Sequence, residues 1–243
     1  MAERLAERAD LDIVVSLAGR TRSPARQPVW VRSGGFGGAV GLAEYLRIEC
    51  IDVLIDATHP YADMISANAS EAARQAGVAL IALQRPPWRA LSGDRWTDAT
   101  DVADAVRRLG EQPRRIFVTL GRTELAPLTA APQHFYLIRS VDPVAPPLPL
   151  SRVDYLVDRG PFSEADDRAL MRAHAIDAVI AKNSGGPASY GKIAAARALG
   201  IEVIMLRRPV ASDGPAVATV DEVIASLDHA IASATARGMA RGV

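Results

Sequence analysis

Short runs of β-branched and other apolar residues alternate along this chain with helical segments, and that alternation restricts the fold more than any other feature. Strands are expected over residues 12–17, 29–32, 53–56, 79–83, 116–119, 134–139, 155–158, 178–181 and 203–206. Helices are expected over 2–9, 39–49, 61–76, 99–109, 163–174, 191–199 and 220–234. A strand, a helix and a further strand form a crossover unit, so the pattern calls for parallel sheet covered by helices. Gly77 and Gly200 each fall one residue past a helix, where a left-handed C-terminal residue belongs. Ser163 followed by Asp166 resembles a capping box shortened by one carbon.

A chain of 243 residues has room for two small domains. The polar segment 109–115 breaks a helical pattern before a fresh strand, which places a boundary near Pro113 and lobes at 1–112 and 113–243. The proline-rich run 142–149 is a rigid loop inside the second lobe. Both halves end strands in glycine-containing polar loops. The fold class is therefore α/β: two related lobes with parallel sheets and a ligand cleft between them.

Basic and acidic residues number 28 each, and a net charge of zero argues against a general nucleic-acid binder. No apolar run reaches the roughly 18 to 20 residues of a membrane span. The charged N-terminus lacks a signal region, so a cytoplasmic protein is expected. Cys50, the lone cysteine, forms no internal disulfide and is expected as a small core residue. The chain starts inside what reads as a first helix. The strand and glycine turn that usually open a nucleotide-binding α/β domain are expected upstream of Met1, or else the chain does without them.

The richest motif is Asp56-Ala57-Thr58-His59-Pro60-Tyr61, which follows a strand directly. Pro60 suits the first helical position and Thr58 or His59 the cap. Capping explains only threonine and proline, so the loop is read as ligand-facing. Asp56 could orient His59 or meet a ligand hydroxyl, and His59 is a candidate general acid. Ser16-Leu17-Ala18-Gly19-Arg20-Thr21-Arg22-Ser23 ends the strand over 12–17 without an acidic residue. An acidic residue there would select NAD, whereas serine, threonine and arginine suit a 2′-phosphate. Taken alone, that composition equally describes a solvated basic loop. Gly34, Gly35, Gly37 and Gly38 lead into a helix, where glycine lets backbone amides approach a ligand. In the second half Arg122, Arg159 and Lys182 each follow a strand end. Asn183 and Ser184 add donors, and Gly185 and Gly186 a tight turn. Together they form a basic rim suited to a polycarboxylate or phosphate ligand. Patterns for zinc proteases, paired cysteines, nucleophile elbows and phosphate-binding ATPase loops are absent.

In combination these loops resemble the precorrin-6A reductase family of corrin biosynthesis. The matching segments are SLAGRT at 16–21, RSGGFGG at 32–38 with Gly41, Leu42, Tyr45 and Leu46, DATHPYA at 56–62, TLGR at 119–122, RGPF at 159–162, and KNSGG at 182–186 with Lys192, followed by Arg208-Pro209. They span nearly the whole chain in order. The resemblance implies two Rossmann-like lobes and NADPH-dependent hydride transfer to precorrin-6A, giving precorrin-6B. It further implies a cofactor site of Ser16, Gly19, Arg20, Thr21, Gly34, Gly35, Gly37, Asp56 and Thr58. His59 and Tyr61 would be catalytic, as candidate proton donors beside a bound water. Arg122, Arg159, Lys182, Ser184, Gly185 and Gly186 would hold the substrate. The expected partner is a tetrapyrrole small molecule, with no nucleic acid, membrane or metal; a monomer is compatible with this reading. The alternatives are reduction of cobalt-precorrin-6A and a non-catalytic two-lobed binding protein. The family's opening strand and Gly-Gly-Thr type turn have no counterpart in this chain.

Overall fold

A computed structural model describes residues 1–19, 24–209 and 216–240, with side chains described through 232. The chain divides into two compact units, one of residues 1–85 with 209–243 and one of residues 86–208.

In the first unit, β1 (Val14–Leu17) pairs in parallel with β2 (Trp30–Ser33). A separate parallel sheet has the order β11-β4-β3, made of β3 (Val53–Asp56), β4 (Ala79–Leu83) and β11 (Ala216–Val217). Helices α2 (Gly38–Ile48) and α3 (Asp63–Ala76) pack together through Leu42, Ala43 and Leu46 against Ala69 and Ala72, with Leu54 beside them. The alanines of α3 carry no bulk beyond Cβ, which allows close helix approach. A second cluster joins Ile81 of β4 to Leu5 of α1 (Ala2–Ala6) and to Val223 and Leu227 of α7 (Val220–Ala240). No helix among the described residues is long and apolar enough to cross a membrane.

The second unit is one six-stranded, wholly parallel sheet in the order β5-β10-β9-β6-β7-β8. Its strands are β5 (Arg95–Ala99), β6 (Arg115–Val118), β7 (Phe135–Ser140), β8 (Val153–Val157), β9 (Ala178–Lys182) and β10 (Glu202–Leu206). Parallel sheets need cover on both faces. Phe117, Leu137, Val179, Val203 and Met205 face a cluster containing Met171 of α5 (Glu164–Ala173) and Ile193 of α6 (Gly191–Leu199). Their strand neighbours Ile116, Ile138, Ile180 and Ile204 are just as deeply buried, as side-chain alternation places them on the opposite face. There α4 (Val102–Arg108) packs on β5 and β10. Ser163 caps α5: its hydroxyl accepts the Asp166 amide at 3.1 Å and meets the Asp166 carboxylate at 2.6 Å.

The boundary expected near Pro113 lies elsewhere. β5, which lacks the apolar density of a central strand, pairs residue by residue with β10, and this places α4 in the second unit as well. Segment 109–115 only connects α4 to β6 within that unit. The chain from Pro209 onward returns to the first unit as β11 and α7. Cys50 is exposed instead of buried. It lies just past α2 with φ 51° and donates its amide to the Arg47 carbonyl at 3.2 Å. Two glycines behave as expected: Gly77 and Gly200 end α3 and α6 in left-handed conformation.

A buried ion pair binds β7 to α5. Arg139 Nη1 donates to Asp167 Oδ1 at 2.6 Å, with the side chains only 7% and 1% exposed. Substituting Asp167→Asn should cost about 3–5 kcal/mol in urea unfolding, because the guanidinium stays buried without its countercharge. Pairing Asp167→Leu with Arg139→Met should recover most of that loss.

Candidate active site

Parallel strands deliver their loops to one edge, so site geometry follows from strand order. In the first unit β1 and β2 are neighbours, and their carboxyl-end loops adjoin. Gly34 donates its amide to Leu17 at 2.9 Å. Gly19 has φ +71°, and a Cβ there would lie 3.5 Å from Gly34 Cα and Ser33 Oγ. Gly19 is therefore brought to the glycine loop, while Ser16 stands opposite Arg32 within the strand pair. Arg20 and Thr21, with Arg22 and Ser23, lie outside the described residues.

The glycine loop is held from behind. Arg32 donates to the Gly34 carbonyl at 2.6 Å and the Gly35 carbonyl at 2.9 Å, and its guanidinium lies 3.7 Å from the Phe36 ring centroid. Nothing lies within 4 Å of a Cβ built at Gly34, Gly35 or Gly37. Helix α2 starts after Gly37 with no side-chain cap and no acidic residue in its first turn. Such a helix start fits an anionic group, since its first amides and its dipole favour negative charge.

The loop after β3 is self-braced. Asp56 Oδ1 accepts the Thr58 amide at 3.0 Å, and Thr58 Oγ1 lies 3.1 Å from Ser66 Oγ. The expected cap at Thr58 or His59, with Pro60 opening the helix, is corrected. The Ala62 amide donates to the His59 carbonyl at 2.7 Å, closing a turn over Pro60 and Tyr61, and α3 begins at Asp63. His59 is exposed, and its Nδ1 accepts the Tyr61 amide at 3.3 Å. A neutral ring with Nδ1 accepting carries its proton on Nε2. The His59 and Tyr61 rings are 5.6 Å apart.

In the second unit the chain moves from β6 outward to β7 and β8, then returns to β9 on the other side of β6 and continues to β10. The strand order thus reverses between β6 and β9, and ligands of open α/β sheets bind at the carboxyl ends of such strands. Arg122 stands in the loop after β6, Lys182 is the last residue of β9, and Arg159 follows β8 on the same edge. Lys182 Nζ donates to Glu124 Oε2 at 2.5 Å, and the same oxygen accepts the Gly121 amide at 3.1 Å. Glu124 escapes sequence reasoning that looks for cations; it is nonetheless the one carboxylate in the loop Thr119–Glu124.

The loop 183–186 is fastened as well as placed. Asn183 Oδ1 accepts the Trp88 amide at 2.7 Å, and its Nδ2 donates to the Trp88 carbonyl at 2.9 Å. Trp88 Nε1 donates to Gly186 O at 2.9 Å, and Arg208 Nε donates to Asn183 O at 2.6 Å. Ser184 is half-buried, and its amide donates to the Lys182 carbonyl at 2.9 Å. Gly185 is buried with φ +66°, and a Cβ there would lie 2.2 Å from Pro86 O. Packing alone demands glycine at that position.

The protein is thus a two-unit α/β fold with a glycine-opened helix start in one unit and cationic residues at strand ends in the other. A family model described as precorrin-6x reductase CbiJ/CobK matches residues 1–228. The precorrin-6A reductase of Sinorhizobium sp is 54% identical over 234 residues, which cover 96% of this chain and 90% of that protein. That of Rhodobacter capsulatus is 45% identical over 240 residues, covering 98% and 94%. A solved structure of CobK precorrin-6A reductase superposes with a TM-score of 0.88 at 46% identity, covering 93% of this chain and 92% of that one. Relatives named cobalt-precorrin-6A reductase are more distant; that of Priestia megaterium is 26% identical over 196 residues, 76% of each chain. The chain belongs to the precorrin-6x reductase family, and its class is that of the oxidoreductases.

Lys192, in the first turn of α6, supports the same loop. It is buried, its Nζ donates to Ser189 O at 2.7 Å, and it lies 5.4 Å from the Trp88 ring. Burial first, then the nearby Arg139 charge, push its pKa from 10.5 down to about 8, against the opposing pull of Asp167. Because the unfolded amine titrates higher, the unfolded chain holds more protons between these values, and this group adds stability as pH rises from about 8 to 10.5. The stability advantage of Lys192→Met over the parent should therefore be largest below that window. It should shrink by roughly 3 kcal/mol across the window, as read by chemical denaturation at stepped pH.

Proposed function

We propose that this chain reduces precorrin-6A to precorrin-6B with NADPH, within cobalamin biosynthesis. The observation that carries the reading is the gathering of Arg122, Arg159 and Lys182 at the carboxyl edge of one parallel sheet, two of them flanking its switch point. The substrate is a macrocycle rimmed with carboxylates, and guanidinium and ammonium groups pair strongly with carboxylates. Ser184 and the amides of Gly185 and Gly186 complete this substrate region, so residues 86–208 form the substrate unit.

The first unit holds the cofactor. Gly34, Gly35 and Gly37 offer amides at the start of α2, Gly19 adjoins them, and Ser16 lies on the neighbouring strand. Arg20 and Thr21 complete the set as partners of a 2′-phosphate. Asp56 and Thr58 shape the loop after β3 and border the same ligand. NADPH, once bound, supplies the hydride, so the protein needs no nucleophile. Its own task is to orient two ligands and provide one proton. His59 is the leading donor, as an imidazolium formed by uptake of a solvent proton, which its exposure permits; Tyr61 ranks second and a bound water third. The identity gradient from metal-free to cobalt-named relatives favours the metal-free substrate.

Anaerobic incubation of precorrin-6A with the protein and NADPH, with NADH in parallel, tests this by mass spectrometry. A gain of two hydrogens with NADPH is expected; no gain would overturn the reading, and gain with the cobalt substrate alone would transfer it. His59→Ala should lower kcat about a hundredfold while leaving NADPH affinity within a few-fold. Unchanged turnover in that variant would remove the acid role.

A further inference from the structure

We propose that Glu124 is a positioning residue for the tetrapyrrole substrate, acting through Lys182 at the switch point between β6 and β9. The inference rests on the function proposed above and concerns the same site. One carboxylate oxygen joins both walls of that crevice. Glu124 Oε2 accepts the Gly121 amide from the β6 loop and the Lys182 ammonium from the end of β9. Glu124 and Lys182 are 58 positions apart in sequence, so their contact is a product of the sheet and not of local chain geometry.

The partners are also unequally shielded. The Lys182 side chain is 15% exposed and that of Glu124 32% exposed. A flexible ammonium with three rotatable donors is poorly directed by itself, whereas a charge-assisted bond from a braced carboxylate fixes its direction. Glu124 is braced in turn by the short 3₁₀ turn Arg122–Glu124 and by the Gly121 amide. A Cβ at Gly121 would lie only 3.0 Å from Glu124 Oε2, so the carboxylate sits close against the backbone. The device therefore holds Lys182 in one place at the mouth of the switch point.

Charge alone makes the opposite forecast. A carboxylate beside a polyanionic substrate repels it, so removing its charge would tighten binding. Positioning predicts weaker binding. Glu124→Gln separates these, since its amide oxygen still accepts from Gly121 and only the charge-assisted hold on Lys182 is lost.

The experiment is a double-mutant cycle of Glu124→Gln and Lys182→Met, read as kcat and KM for precorrin-6A, with NADPH titration and melting temperature measured on each variant. Glu124→Gln should raise KM about tenfold with kcat within threefold and NADPH affinity unchanged. In the Lys182→Met background the same substitution should change KM less than twofold. A lowered KM, an effect equal in both backgrounds, or a loss confined to melting temperature or NADPH affinity would overturn the proposal. Parent protein that does not turn over precorrin-6A would overturn the function reading, and with it this inference; active parent with an additive cycle would overturn the inference alone.

Discussion

Because β6 and β9 pair in parallel, with Ile116 to Val118 set against Ala178 to Ile180, the loops that leave them must emerge on one edge. Every feature of the second unit that bears on chemistry follows from this register. Thr119 extends the ladder by one more bond, its amide reaching the Ile180 carbonyl at 3.1 Å, and the chains then part. The parting creates the crevice, and the Lys182–Glu124 pair crosses it. The apolar residues along this register are buried completely on both faces, so a slip by one residue would exchange side chains of different size between two packed layers. Site and core are thus specified by the same side-chain alternation.

Strands are legible in the sequence where they read as continuous apolar runs, and those at the centre of the six-stranded sheet do so because they are buried on both faces. β3 and β4 match expectation to the residue, and β6, β9 and β10 to within one or two. β5 is not legible: Arg95, Thr97 and Asp98 sit on an edge strand, where polar side chains are tolerated. β11, two residues long, is below any pattern. The boundary at Pro113 failed for a related reason, since unit membership is decided by the pairing of β5 with β10, more than a hundred positions away in the chain. Site residues divide in the same way. Glycines and cations next to strand ends were visible. Glu124, Arg139 and Asp167 were not, because their partners come from other elements.

Charge counts also conceal how cations are used. A balanced total of 28 and 28 says nothing about which arginines meet a ligand. Arg32 is engaged with two glycine carbonyls and an aromatic face. Arg139 is sealed against Asp167 and lies 3.5 Å from the Phe162 ring centroid, steadying the loop that carries Arg159. Arg208 braces the loop after β9. These three cations brace the protein's own loops and strands.

The fastening of Arg208 has a topological consequence. Its Nη2 also reaches Pro86 O, at 3.4 Å, so the first and last residues of the second unit are hydrogen-bonded to each other. In the first unit β4 and β11 are parallel neighbours, and the Gln84 amide meets the Val217 carbonyl at 2.8 Å. Parallel neighbours require a crossover, ordinarily one helix. Here the crossover is an entire unit whose entry and exit coincide. Seen from the first sheet, six strands and their helices are one connection, and a whole unit stands where a single helix would have served.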